Sequence, residues 1–229
     1  MNPRQQTILK IIIEEYINNA EPVGSKHLMS DLGVSSATIR NEMGELERQG
    51  YLRAPHTSAG RIPTEKAYLY YLQNFVESKP EAKSENRLRQ ACNTAKNDEM
   101  AIKRIAKTLV DLSGETAIIA MNPGWSYYTG VSNLFAKPDF ADLELMQSLS
   151  EIVDRFDEVV DEMFQGINSG PQVLIGSQNP FGQHMSAVVA MGRFPGNNIG
   201  LIGLIGPMRM NYQRNLSLIE AAMEAFLED

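Results

Sequence analysis

Cysteine is almost missing from this chain: Cys92 is the single one in 229 residues, which excludes an intramolecular disulfide. Three histidines, His27, His56 and His184, are scattered, and with one cysteine they match no zinc-ligand spacing. No apolar run is long enough to span a bilayer. The best, Ile11-Ile12-Ile13, is cut by Glu14 and Glu15, and the polar start Met1 to Gln6 has no secretory character. A membrane association is therefore not expected, and the cytoplasm is the expected compartment. Neither a repeat nor a low-complexity tract is present. Gly200, Gly203 and Gly206 lie among Ile and Leu without forming a phosphate-binding pattern, and close backbone packing in a strand explains them better. No cofactor is implied.

What is present suits a globular chain of one or two domains. The composition is 43 % hydrophobic and 21 % charged, enough for a real core. The net charge of −7 looks wrong for a nucleic-acid partner. Its distribution changes that reading, because residues 1–78 hold eight Lys/Arg against nine Asp/Glu, while residues 79–229 hold thirteen against nineteen. A polyanion feels the field of the docking face, and most of the acidity lies elsewhere.

The first 78 residues read as three helices, a hairpin-like loop and a trailing helix. Asn2-Pro3 is a cap followed by proline at the first helical position, and Ile8, Leu9, Ile12, Ile13, Tyr16 and Ile17 recur at helical spacing. Glu21-Pro22-Val23-Gly24 breaks that helix. Ser25 is expected to cap a short second helix to Asp31, burying Leu28, Met29 and Leu32, with Gly33 left-handed behind it. Ser35 or Ser36 caps a third helix to about Gln49, whose inward stripe is Ile39, Met43 and Leu46. Tyr51–Arg53 is a short strand, Ala54–Gly60 a loop, Arg61–Pro63 the return, and Thr64 caps a helix to about Ser78.

Residues 79–113 read as a linker and one long helix over Ser84–Ser113, and residues 114–229 as a mixed α/β domain. Strands are expected at Thr116–Met121, Trp125–Tyr128, Val173–Ile175, Met185–Phe194 and Ile199–Ile205. Asn122-Pro123-Gly124 and Pro195–Asn198 are turns. Asp139 is expected to open a helix striped by Leu145, Leu149, Ile152, Phe156, Val159 and Met163. Asn211 caps a last helix packing through Leu216, Ile219, Met223 and Phe226. The fold class is α+β.

The third helix carries the most informative chemistry. In a helix-turn-helix the second helix of the motif enters the major groove, with its N-terminal residues at base edges. Ser35, Ser36, Thr38, Arg40 and Asn41 are the right types: Arg suits guanine O6/N7 and Asn suits adenine N6/N7, and a helix start favours phosphate. Gly44 fits either a close approach to a duplex or helix–helix packing. The loop adds a wing. From Arg48 to Thr64 there are three arginines, Arg48, Arg53 and Arg61, and no acid. His56, Thr57 and Ser58 offer small donors, and Arg61 is the best candidate for a minor-groove or backbone contact.

Three runs, Glu21-Pro22-Val23-Gly24-Ser25, Ser35 to Met43 and Pro55 to Thr64, closely resemble the bacterial heat-inducible transcription repressor family HrcA. Gly130 to Phe135, with Pro138 and Phe140, and Ile202 to Tyr212 resemble later parts of that family's regulatory domain. The resemblance implies a winged helix-turn-helix followed by a GAF-like α/β regulatory domain. It also implies a homodimer on an inverted-repeat DNA operator, the CIRCE element, and modulation by a GroEL-type chaperonin. Family members usually carry an inserted small domain where only Asn122 to Thr129 stands here, so this chain resembles a compact, reduced form.

Other classes remain to be weighed. An enzyme lacks a visible nucleophile, base and orienter set: Cys92 reads as a packing residue, and Asp154, Asp157, Glu158, Asp161 and Glu162 as a solvated helix face. A repressor controlled by a small ligand would use an apolar pocket, for which Trp125, Tyr127, Tyr128 and Phe181 are candidates, with aromatic core as the plainer account. The third alternative is a wing-bearing RNA-binding or protein-docking module; the A-form major groove is too narrow for a helix, so competition of duplex DNA against duplex RNA separates these readings.

Overall fold

The computed structural model describes the chain apart from residues 57, 58, 80, 123, 124, 165, 168, 169, 228 and 229. The described chain divides into two compact units, Met1–Val76 and Glu77–Asp229.

The first unit opens with α1 (Pro3–Asn19). Asn2 Oδ1 accepts from the Gln5 backbone N–H at 2.9 Å, and Gln5 Oε1 accepts from the Asn2 N–H at 3.0 Å. Two otherwise orphaned donors are thereby satisfied, and Pro3 has none to lose. The helix ends at Ala20, a left-handed residue with φ 57°. The second helix is shorter than expected: α2 is only Met29–Leu32. Ser25 does not cap it, because its hydroxyl meets Ser36 Oγ at 2.8 Å. Of the three residues expected inside, Leu28 alone is fully buried, and Met29 is 43 % exposed. One anchor suffices for so short a segment.

Gly33, at φ 63°, leads into α3 (Ser36–Arg48), whose N-terminus is capped by Ser35 Oγ accepting from the Thr38 N–H at 3.2 Å. Strands β1 (Leu52–Arg53) and β2 (Ile62–Pro63) pair antiparallel, Leu52 opposite Pro63 and Arg53 opposite Ile62. Val23 and Arg61 exchange both backbone hydrogen bonds at 2.9 Å, an isolated antiparallel bridge just before β2. Helix α4 (Glu65–Phe75) follows, capped by Thr64 Oγ1. Ile8, Leu9, Ile12 and Ile13 of α1, Leu28, the α3 stripe, Leu52, Ile62, Ala67 and Tyr68 are buried residues of this unit.

In the second unit the single long helix expected over Ser84–Ser113 is two: α5 (Ala82–Asn93) and α6 (Asp98–Ser113). Asn97 caps α6 through Oδ1, which accepts from the Met100 N–H at 2.8 Å, and Asp98 and Glu99 occupy the first turn. Neither helix is a linker, since both pack with the C-terminal helix α10 (Tyr212–Leu227). Strand β3 (Thr116–Asn122) pairs with β4 (Trp125–Thr129), and the short helix α7 (Val131–Ala136) follows. Part of the expected Asn122-Pro123-Gly124 turn lies outside the described residues.

Asp139 does not open a helix. It sits in a 3-10 turn, Pro138–Phe140, where its carboxylate takes the Arg209 guanidinium at 2.6–2.9 Å. Asp142 caps α8 (Leu143–Asp154), which is separated from α9 (Phe156–Met163) at Arg155. The expected stripe crosses that break in phase, with Leu149, Phe156, Val159 and Met163 all buried.

Strands β5 (Gly170–Ile175), β6 (Met185–Phe194) and β7 (Asn198–Pro207) complete a five-stranded antiparallel sheet in the order β4-β3-β7-β6-β5. Ile118, Ala120, Ala187, Val189, Leu201 and Ile205 share one face with Leu134, Phe140 and the α8–α9 stripe. The opposite face lies against α6 and α10. The three glycines of β7 mark close packing, as their setting suggests: a Cβ on Gly200 would lie 2.6 Å from Ala120 O, one on Gly203 2.7 Å from Val189, and one on Gly206 would strike the Glu115 carboxylate. That carboxylate is buried, 3.1 Å from Lys137 Nζ, and desolvation pushes its pKa up to about 7 against the pull of Lys137 and Arg209.

Of the aromatics considered as a pocket lining, Tyr128 and Phe181 meet through Phe156, and Tyr127 does not join them. Tyr128 pairs with Ile118 and stacks edge-on against Phe156, which stacks in turn on Phe181, both at 5.3 Å between centroids. Tyr127, one residue along the strand, faces the other way, under Lys103 of α6 at 5.6 Å.

Candidate nucleic-acid interface

Helix α3 has one covered side and one bare side. Ile39, Met43 and Leu46 are buried. At 3.6 residues per turn, Ala37, Arg40, Asn41, Gly44 and Arg48 fall on the opposite side, where Ala37, Arg40, Asn41 and Arg48 are exposed. A Cβ on Gly44 would meet nothing within 4 Å. Helix–helix packing therefore does not account for this glycine. In mid-helix it costs about 1 kcal/mol relative to alanine, with no contact among the described residues to explain it.

Polar ties hold the flanks of α3. Gln5 Nε2 donates to Glu42 at 2.9 Å, with Arg4 at 3.5 Å from the same carboxylate. On the other flank stand the Ser25–Ser36 hydroxyl pair and the pair of Arg61 with Glu47. At the C-terminal end, where helix carbonyls lack partners, Lys66 Nζ donates to Gln49 O at 2.8 Å. The bare stripe is thus presented at a fixed angle to the rest of the unit.

Of the residues singled out in the sequence, Ser35 and Thr38 are engaged at the helix start, their hydroxyls 3.0 Å apart. Ser36 is turned to Ser25. Arg40 and Asn41 are exposed, and Arg40 Nε donates to Ser36 O at 3.4 Å. Arg53 is exposed on β1 and His56 on the loop, whose carbonyl accepts from the Ala59 N–H. Thr57 and Ser58 lie outside the described residues. Arg61 is the surprise: Nε and Nη2 lie 3.0 and 2.9 Å from Glu47 Oε2, and Nη1 donates to Ala59 O and Gly60 O. Glu47 is the residue that sequence reasoning missed, because a charge count starting at Arg48 leaves it out by one position.

Gly60 has a different task. A Cβ there would lie 2.5 Å from both the C and the O of Val23. Only glycine lets the returning strand cross so close to the turn after α1.

These features can be set beside known proteins. A family model described as the HrcA protein C terminal domain matches residues 54–216, and a DeoR-like helix-turn-helix domain matches residues 4–64. The chain belongs to the HrcA family. A heat-inducible transcription repressor HrcA of Carboxydothermus hydrogenoformans is 26 % identical over 326 aligned positions, covering 96 % of this chain and 95 % of the relative. That of Bifidobacterium adolescentis is 41 % identical over 120 residues, 51 % of this chain and 32 % of its own length. An alignment of 326 positions against 229 residues means that the first relative carries residues lacking here. A crystal structure described as a hypothetical protein has the same fold, with a TM-score of 0.72 at 20 % identity, over 98 % of this chain and 99 % of the other. The architecture is a helix-turn-helix domain followed by an α/β domain, and no helix among the described residues is long and apolar enough to cross a membrane.

Proposed function

We propose that this HrcA-family chain is a transcriptional repressor of heat-shock chaperone genes, acting as a homodimer on an inverted-repeat operator of the CIRCE type. The observation that carries this reading is the bare stripe of α3, with Arg40 and Asn41 flanking the open space at Gly44. Arg and Asn each make two-point contacts to a purine edge, and the absence of a side chain at 44 lets the helix approach base edges. Ser35 and Thr38 sit at the helix start for phosphate, and Arg53, His56, Thr57 and Ser58 supply the wing. Two copies would place these helices in successive major grooves, about 34–36 Å apart or a multiple of that.

Repression then follows from occupancy of the promoter, without cofactor or catalysis. The α/β unit is the dimerisation and regulatory part. The names of the relatives support heat-dependent control, and the family resemblance supports a GroEL-type chaperonin as its agent. Control by a small ligand is less well supported, because Tyr127 and Tyr128 face opposite sides of the sheet and Tyr128 and Phe181 are both taken up by stacking on the buried Phe156.

Selection of bound sites from random duplex DNA tests the central reading. A palindromic motif with two half-sites is expected, and folded protein that enriches no motif would overturn it. Operator binding measured across temperature, with and without purified chaperonin, tests the regulatory part.

A further inference from the structure

Arg61 is the residue of the wing that composition hands most readily to DNA, yet its guanidinium is already engaged within the chain. Two of its nitrogens converge on one oxygen of Glu47, and the third donates to the carbonyls of Ala59 and Gly60. Its backbone is locked as well, through the paired hydrogen bonds with Val23. One residue therefore joins the last turn of α3, the root of the wing and the turn after α1.

Glu47 would be poorly placed alone. An acid in the last turn of a helix faces the partial negative charge of the unpaired carbonyls. It also stands beside the residues proposed to meet a polyanion. The pair is only partly buried, the side chains being 26 % and 34 % exposed, so it adds little to stability. What it does fix is direction, since the planar fork of arginine holds a carboxylate and two carbonyls from three separate nitrogens, whereas a lysine has one nitrogen and no fixed plane.

We infer that Arg61 and Glu47 are a positioning pair that sets the angle of the wing against the recognition helix, and that Arg61 does not bind phosphate. The inference rests on the DNA-binding reading given above. Taking the guanidinium to a phosphate would strand the Glu47 carboxylate next to the DNA and leave two carbonyls without their donor. The DNA contacts of the wing then come from other residues, the exposed Arg53 and His56 among them.

The test compares operator affinity for the full chain and its Glu47→Ala, Glu47→Gln, Arg61→Ala, Arg61→Lys and doubly alanine-substituted forms, with thermal melting as a control for folding. Simple charge counting predicts that losing an acid near DNA tightens binding. A positioning pair predicts the opposite sign. Glu47→Ala and Glu47→Gln should each weaken binding by roughly ten-fold, Arg61→Ala and Arg61→Lys by a similar factor, and the double variant no further. Melting should be nearly unchanged throughout. The inference fails if Glu47→Ala tightens binding while Arg61→Ala loosens it and lowers the salt slope by about one, for then Arg61 is a phosphate contact. It fails equally if Arg61→Lys binds like the parent, or if neither alanine form alters affinity. Absence of operator binding by the parent chain would instead sink the DNA-binding reading, and the pair's role with it.

Discussion

In Glu77–Asp229 both faces of the sheet are covered: α6 and α10 lie on one, and the stripe of α8 and α9, with Leu134 and Phe140, on the other. In Met1–Val76 the helix α3 is covered along Ile39, Met43 and Leu46 and bare along Ala37, Arg40, Asn41 and Gly44. The difference teaches where to look for function. A layer closed on both sides explains its own residues by packing, whereas a helix with one ordered, uncovered side carries residue choices that packing does not explain.

Four measurements would break or sharpen this contrast. The largest effect belongs to the closed unit. Phe156 is buried between Tyr128 and Phe181, and Phe156→Ala should cost about 3–5 kcal/mol of unfolding free energy. Urea titration followed by the fluorescence of Trp125, the single tryptophan of the chain, reads that unit directly. A loss under 1 kcal/mol would mean that this core is loosely packed.

Acid–base linkage comes next. Burial raises the Glu115 pKa from its ordinary 4.5 to about 7, so the folded state binds the proton more tightly than the unfolded chain. The stabilisation this provides is full below the ordinary value and is lost as pH rises through about 7. Stability of the second unit should therefore fall between pH 5 and pH 8, and Glu115→Gln should flatten that part of the profile. A parent profile that rises across this window would contradict the assignment.

On the open side, Arg40→Ala should weaken operator binding by ~1–3 kcal/mol and relax preference at one base position. Equal losses on every operator variant would make Arg40 a phosphate contact. The smallest effect is the most diagnostic. Gly44→Ala should raise the stability of the first unit by about 0.5–1 kcal/mol while lowering operator affinity. Improvement in both would show that the bare side of α3 does not approach a duplex closely.

How much of this was legible in the sequence follows the range of each interaction. Caps, stripes and turns act within a few residues, so Asn2, Ser35, Gly33, Thr64 and the inward face of α3 could be read directly. The break at Asn97 was also legible, since an amide cap followed by Asp98 and Glu99 is a helix-start signal, but the apolar stripe running on through Ala95 concealed it. The break at Arg155 carries neither glycine nor proline, and the stripe resumes in phase at Phe156, so periodicity could not show it. Ser25 was misread as a cap because its real partner is Ser36, eleven positions away. Glu47 was invisible for the same reason, its partner lying fourteen positions on, beyond the loop.

The crossing at Gly60 carries a warning for anyone mapping this domain by loss of function. Any larger residue there would push the returning strand off the turn after α1, so loss of DNA binding on its substitution would not by itself make Gly60 a DNA contact. A mutational scan would rank Gly60 with the residues proposed to read bases, whereas its close approach to Val23 is a matter of clearance between two stretches of backbone.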